Sequence, residues 1–228
     1  MQFAPAGADS PPRLSLLLSR ITERMPETYT DLVYHLAQLE KPIDFSTLFG
    51  REAPLEIEIG IGSGYFTSRY ALDHPDINLF GLDKEGSEVY RTADKCFRLG
   101  AQNVRLTRSD AIYFLHDFVA PASVSKFHVL YSDPWPKRRH HKRRLWRPQF
   151  VEQLQQHLEP GGELHMKTDV TEYFEIIDAL LKDAPELEMT VEQRLDLEPL
   201  DGDYNTNFQR KAIEAGHPLY YQVWRKIE

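Results

Sequence analysis

From Leu55 to the end of the chain, short runs rich in β-forming residues alternate with longer helix-like stretches. The strand-like runs are Leu55–Ile59, Ile77–Leu82, Val104–Thr107, Phe127–Tyr131, Leu164–Lys167, Leu187–Leu195 and Leu219–Ile227. Helical segments are predicted between them at Ser63–Leu72, Glu85–Leu99, Ala111–Phe118, Arg147–Leu158, Val170–Lys182 and around Phe208–Ala215. Gly100 stands where a helix would be capped, and Pro160, Gly161 and Gly162 break the chain before the next strand. Such alternation predicts βαβ units. The expected fold is α/β: a doubly wound, mostly parallel, seven-stranded sheet with helices on both faces and an antiparallel C-terminal edge strand. Upstream, residues 1–12 read as a proline-containing lead-in, with helices expected near Arg13–Glu23 and Thr30–Glu40. Residues 1–50 are therefore taken as an N-terminal extension with helices, and 51–228 as the α/β domain.

Composition changes this picture little. With 228 residues, 41% of them hydrophobic and 27% charged, the chain can bury a core without disulfides, and its single cysteine, Cys96, allows none within the chain. No apolar run approaches the roughly 18 residues that would span a bilayer, and the start lacks a basic leader, so a cytoplasmic location without a membrane partner is expected.

Charge changes it more. The net charge is −8, which on its own argues against a nucleic-acid partner. Yet Lys137, Arg138, Arg139, Lys142, Arg143, Arg144 and Arg147 fall within eleven residues that contain no acid, leaving −15 for the rest. A cationic patch on an acidic body is what a phosphate senses, because screening limits its view to about 8 Å.

Two segments carry candidate chemistry. Glu58-Ile59-Gly60-Ile61-Gly62-Ser63-Gly64 runs from a strand into a helix, and its glycines permit a tight turn and close approach of a ligand to the backbone. Asp83 ends the second strand, where an acid grips a ribose diol, and Asp110 ends the third. A nicotinamide enzyme would share these features, but the short glycine spacing and Glu58 lean towards S-adenosylmethionine, whose methionine half is cationic. In the second segment, Tyr131-Ser132-Asp133-Pro134-Trp135-Pro136-Lys137, two prolines are expected to hold the chain extended and present Asp133 and Trp135. An aromatic beside a carboxylate, followed by cations, suits a stacked base with its phosphates held nearby.

With these residues in view, the chain resembles the bacterial single-subunit tRNA (guanine-N7-)-methyltransferase family over about residues 53–226. The likeness rests on Glu58-Ile59-Gly60-x-Gly62, Asp133-Pro134-Trp135-Pro136-Lys137 with His141-Lys142-Arg143-Arg144, Lys167-Thr168-Asp169 and Thr206-Asn207-Phe208. The resemblance implies a class I fold that transfers methyl from S-adenosylmethionine to guanine 46 in the variable loop of tRNA. It implies cofactor contacts from Glu58, Gly60, Gly62, Asp83, Asp110 and Asp133, with Asp133 also catalytic. Lys137, Asp169, Thr206, Asn207, Phe208 and Gln209 fall at substrate positions, and Arg138, Arg139, Lys142, Arg143, Arg144 and Arg147 would follow the RNA backbone. Gln209 departs from the family pattern, which has glutamate there.

The implied reaction needs no metal and no strong base, because guanine N7 carries a free lone pair; alignment and a nearby carboxylate suffice. His140 and His141 are adjacent and make a poor chelating pair, so no metal is expected. His165 reads as a core or ligand-edge residue, and Cys96 as a bystander. A monomer or homodimer is expected. Three other readings stay open: a methyltransferase for another RNA or a small molecule, a nicotinamide oxidoreductase, and a non-catalytic RNA-binding protein on the same fold.

Overall fold

The computed structural model describes residues 27–195 and 207–227. Eight strands form one sheet: β1 (Val33–Tyr34), β2 (Leu55–Ile59), β3 (Asn78–Asp83), β4 (Val104–Arg108), β5 (Val124–Leu130), β6 (Leu158–Thr168), β7 (Leu187–Leu195) and β8 (Leu219–Lys226). Their order is β1-β4-β3-β2-β5-β6-β8-β7. Every pairing is parallel except those of β8, which runs antiparallel to both β6 and β7 and so lies one place inside the edge. The helices are α1 (Phe45–Phe49), α2 (Tyr65–Asp73), α3 (Gly86–Leu99), α4 (Ala111–Phe118), α5 (Pro148–His157), α6 (Thr171–Lys182) and α7 (Asn207–Glu214).

All seven expected strands are present, and β1 makes an eighth. It arises where a helix over Thr30–Glu40 was expected; that stretch instead holds two 3-10 turns, Tyr29–Leu32 and Leu36–Gln38, around the short strand. The physical reason is tertiary. Val33 and Tyr34 pair with Leu106 and Thr107, the Thr107 hydroxyl donates to the Tyr34 carbonyl at 2.8 Å, and Leu32 is wholly buried. Residues 27–50 thus join the main body, with Ile43, Phe45, Leu48 and Phe49 in its core. The helix expected at Arg13–Glu23 lies outside the described residues.

Successive strand residues face opposite sides of a sheet, and the two resulting faces have separate cores. Ile57, Ile59, Phe127, Val129, Leu164 and Met166 pack with Phe114, Phe150, Leu154 and Ile177 of α4, α5 and α6. On the other face Leu79, Val104 and Leu106 meet Phe66 and Tyr70 of α2 and Val89, Ala93 and Cys96 of α3. Gly100 caps α3 as expected, with φ +79° and its N–H shared between Cys96 and Phe97 carbonyls. The Pro160-Gly161-Gly162 break sits inside β6 as a register shift against β5.

One core feature was not foreseen. Glu56 and His128, 72 residues apart, meet in the buried sheet at 2.6 Å, with Lys126 at 3.5 Å from the other carboxylate oxygen. Burial alone would raise the Glu56 carboxyl, but His128, Lys126 and Tyr70 outweigh it and hold it at about 2. A carboxyl depressed on folding adds stability above its ordinary value of 4.5 that is lost as the pH falls towards 2. Glu56→Ala should cost about 3 kcal/mol in urea unfolding, because it strands a buried imidazole and part of the Lys126 charge. It should also flatten the acid limb between those two pH values. A loss below about 0.5 kcal/mol, within the usual surface range, would show the pair to be dispensable.

No described helix is long and apolar enough to cross a membrane.

Candidate active site

The carboxyl ends of β4, β3, β2, β5 and β6 stand side by side, and each bears a residue singled out from the sequence. Between β2 and α2 the chain turns on three left-handed glycines: Gly60 at φ +84°, Gly62 at +49° and Gly64 at +70°. Their roles differ. A Cβ on Gly64 would collide with Thr92 of α3 at 2.5 Å, so this glycine serves packing. Beside Gly60 and Gly62 there is open space within 4 Å of where a Cβ would sit, the cradle that close approach of a ligand to backbone requires.

Asp83 braces this turn: one carboxylate oxygen accepts from Gly62 N–H at 3.1 Å and the other from Glu85 N–H at 2.9 Å. A carboxylate has about four acceptor positions, so both oxygens keep capacity for a diol. Asp110 caps α4, accepting from Ile112 and Tyr113 N–H, while its second oxygen meets Lys84 Nζ at 2.7 Å. Partial burial would raise this carboxyl, but Lys84 and the two backbone donors outweigh it and keep it below the usual range. Lys84 was not singled out in the sequence.

Glu58 is buried, 2% exposed, and Thr67 Oγ1 of α2 donates to it at 2.6 Å. Burial drives its carboxyl up to about 8, against the pull of Thr67 and with a further push from the Asp83 charge. Cys96 is a buried thiol pushed up to about 12 by burial, in keeping with a bystander.

The Asp133 loop follows β5 and runs beside the end of β6, joined to it by Tyr131 N–H donating to the Lys167 carbonyl at 2.8 Å. Asp133 is exposed here, and half-buried Asp169 follows β6. The segment is not extended as expected. Tyr131 has φ +54° and Trp135 φ +42°, a region costly for residues with side chains. What holds it is Arg144. The resemblance puts this residue against RNA phosphates, but it is buried. Its Nε donates to the Pro134 carbonyl at 2.7 Å and its Nη2 reaches the Trp135 carbonyl at 3.5 Å. The guanidinium lies 5.3 Å from the centre of the Tyr173 ring of α6, and Trp146 Nε1 donates to Ser132 Oγ at 3.1 Å. Arg144 is therefore a brace of the loop, and the outward set shrinks to Lys137, Arg138, Arg139, Lys142, Arg143 and Arg147, all exposed. Arg138–Arg143 forms a 3-10 turn opened by Lys137.

Trp135 differs from expectation too. Its ring is half-buried, edge-on to His140 at 5.7 Å, with the Arg143 guanidinium 5.1 Å from its centre, so it already has ring contacts within the protein. His165 is half-buried in a polar set, bonded to Glu163 at 3.0 Å and to the Tyr221 hydroxyl at 2.8 Å. Among the described residues no three His, Cys, Asp or Glu side chains gather as a metal site would require.

Thr206 lies outside the described residues, as do the side chains of Asn207 and Phe208 at the start of α7. Gln209, in that helix, is fully buried. An uncharged amide is the cheaper occupant there, because a carboxylate would lose its hydration. Gln209→Glu should therefore lower the thermal midpoint, by about 1–3 kcal/mol of stability at pH 8 and less at pH 5, where the acid is protonated. Equal midpoints at both pH values would show that the side chain leaves its buried place.

The methyltransferase family model Methyltransf_4 matches residues 52–222. The chain is 33% identical over 211 residues to the tRNA (guanine-N(7)-)-methyltransferase of Bordetella pertussis, covering 90% of this chain and 81% of that protein. To the protein of the same name from Nocardia farcinica it is 39% identical over 197 residues, covering 83% and 73%. Among solved structures, TrmN from Thermus thermophilus superposes with a TM-score of 0.55 at 17% identity, covering 79% of this chain and 48% of that one. The antibiotic-resistance methyltransferase Kmr gives 0.51 at 21% identity, covering 78% and 88%. Both show the fold.

Proposed function

The chain belongs to the tRNA (guanine-N(7)-)-methyltransferase family, and on that premise we propose that it transfers the methyl group of S-adenosylmethionine to N7 of a guanine in tRNA. The observation that carries this reading is the open cradle at Gly60 and Gly62, flanked by Asp83, with the Asp133 loop on the neighbouring strand and six outward cations beyond it.

The residues fit the cofactor. Gly60 and Gly62 would admit it to the backbone, Asp83 would accept from its ribose hydroxyls, and Asp110 would lie at the adenine end. Bound there, S-adenosylmethionine supplies a methyl group activated by a sulfonium. Asp133 and Asp169, on adjacent loops, face positive charge as it builds on the purine ring, and a fixed carboxylate stabilises that charge more in the transition state than before it. No proton has to leave N7 first, so the chain's task is to align the base and exclude water. Arg138, Arg139, Lys142, Arg143 and Arg147 hold the RNA backbone, and Lys137 meets the substrate guanine. The target proposed is guanine 46 of the variable loop, the position that the resemblance implies.

The test is transfer of labelled methyl from S-adenosylmethionine to unmodified tRNA, followed by separation of the nucleosides and mapping of the modified position. Labelled 7-methylguanosine is the expected product. Label in another nucleoside, or in small molecules alone, would replace this reading with a methyltransferase for a different acceptor.

A further inference from the structure

Glu58 is an unusual group to find in a cofactor site. It sits in the middle of the sheet, two residues before Gly60, and is 2% exposed. The elements around it present a hydroxyl from α2 (Thr67), a carboxylate at the end of β3 (Asp83), and a thiol from α3 (Cys96). The basic groups on the neighbouring elements bond elsewhere: Lys95 Nζ of α3 donates to the Ser63 carbonyl at 2.6 Å, and His128, opposite Glu58 on β5, is bonded to Glu56, with burial favouring its neutral form. Among the described residues, then, no ion pair compensates a charge on Glu58. A carboxylate buried under those conditions favours its neutral form.

A cation delivered beside it would reverse that preference. We propose that Glu58 is held as the neutral acid in the free protein and releases its proton to solvent when the ammonium-bearing amino-acid half of the cofactor binds, with Thr67 positioning the resulting carboxylate. The inference rests on the cofactor reading above. In the exchange the Glu58 O–H bond breaks, the proton passes to buffer, and the ammonium of the ligand stays intact as the counter-ion. Thr67, wholly buried, can donate its one hydroxyl proton to the charged form and so makes ionisation possible at a tolerable cost. The buried carboxyl's rise to about 8 agrees with this geometry.

The experiment is calorimetric and needs no turnover. The full chain is titrated at pH 7 in two buffers of different ionisation enthalpy, once with S-adenosylhomocysteine and once with 5′-methylthioadenosine, which lacks the amino-acid half. The first ligand should release about one proton per site and the second close to none, as proton linkage requires. In Glu58→Gln, S-adenosylhomocysteine should bind without proton release and with an affinity that no longer rises between pH 6 and 8. Thr67→Val should weaken S-adenosylhomocysteine about tenfold at pH 7 while leaving methylthioadenosine unchanged, the size expected for a hydrogen bond to a charged group. Equal proton release with both ligands, or none with S-adenosylhomocysteine, would overturn the proposal. If the protein binds neither ligand, the cofactor reading itself falls, and the inference with it.

Discussion

Asp133→Asn should lower kcat by about 100- to 1000-fold, the usual cost of removing one electrostatic contact from a developing charge. The fold should be untouched. Asp133 is exposed, on a loop, and its described surroundings contain neither a hydrogen bond nor an ion pair that the amide would break. The substitution keeps the shape and removes the charge, so its effect reports the charge alone. KM for tRNA should change little, because the proposed reading gives the phosphate contacts to the outward cations and not to Asp133. Single-turnover methyl transfer at saturating tRNA, with circular dichroism of both proteins, measures this. A variant that keeps kcat within about threefold would remove Asp133 from the electrostatic role and shift it to Asp169 or to alignment alone.

Arg144→Ala is expected to be nearly as damaging, for a different reason. The Asp133 loop contains two left-handed residues with side chains, Tyr131 and Trp135, each of which costs about 1–3 kcal/mol. Arg144 offsets that cost with its bonds to the Pro134 and Trp135 carbonyls and its position over Tyr173. Without it the loop relaxes and Asp133 drifts, and a displacement near 1 Å costs about 100-fold in rate. Arg144→Lys should not rescue, since a point charge cannot serve two carbonyls and an aromatic face at once. Arg138→Ala is the contrast. That exposed cation should leave kcat intact, raise KM, and lower the slope of log K against log salt concentration by about 0.7–0.9 for the one lost contact. If Arg144→Ala behaves like Arg138→Ala, Arg144 is a phosphate ligand and the bracing account is wrong.

Much of this molecule is legible in its sequence. Strand boundaries at Leu55–Ile59 and Leu187–Leu195 and helix boundaries at Ala111–Phe118 match the structure, and the other elements expected from Leu55 onward agree to within a few residues except at β5 and β6, which start earlier; the helix expected at Thr30–Glu40 does not form. These elements announce themselves locally, through periodic apolar residues and glycines at turns. The glycine loop was legible for the same reason: a left-handed turn demands glycine at that spot in the chain. The charge run from Lys137 to Arg147 was equally plain, because charge is a property of composition.

Direction and partnership were not legible. The run shows seven cations but not that Arg144 turns inward while its neighbours face outward; only the position of the Pro134 carbonyl and the Tyr173 ring decides that. Nothing local marks Glu56 and His128 as a buried pair, or Lys84 as the partner of Asp110. Val33 and Tyr34 form a strand only because β4 is there to receive them. The division follows from the range of the forces. Backbone preference and apolar periodicity act between residues a few positions apart, so the order of elements and the glycine turn are written in the chain. The state of a charge depends on what lies within a few ångströms and on how much water remains, and both are set by residues that folding brings from far along the chain. At Glu58 the sequence alone supplied an acid at a glycine loop, and the tertiary structure decided that it is buried without a cation among the described residues.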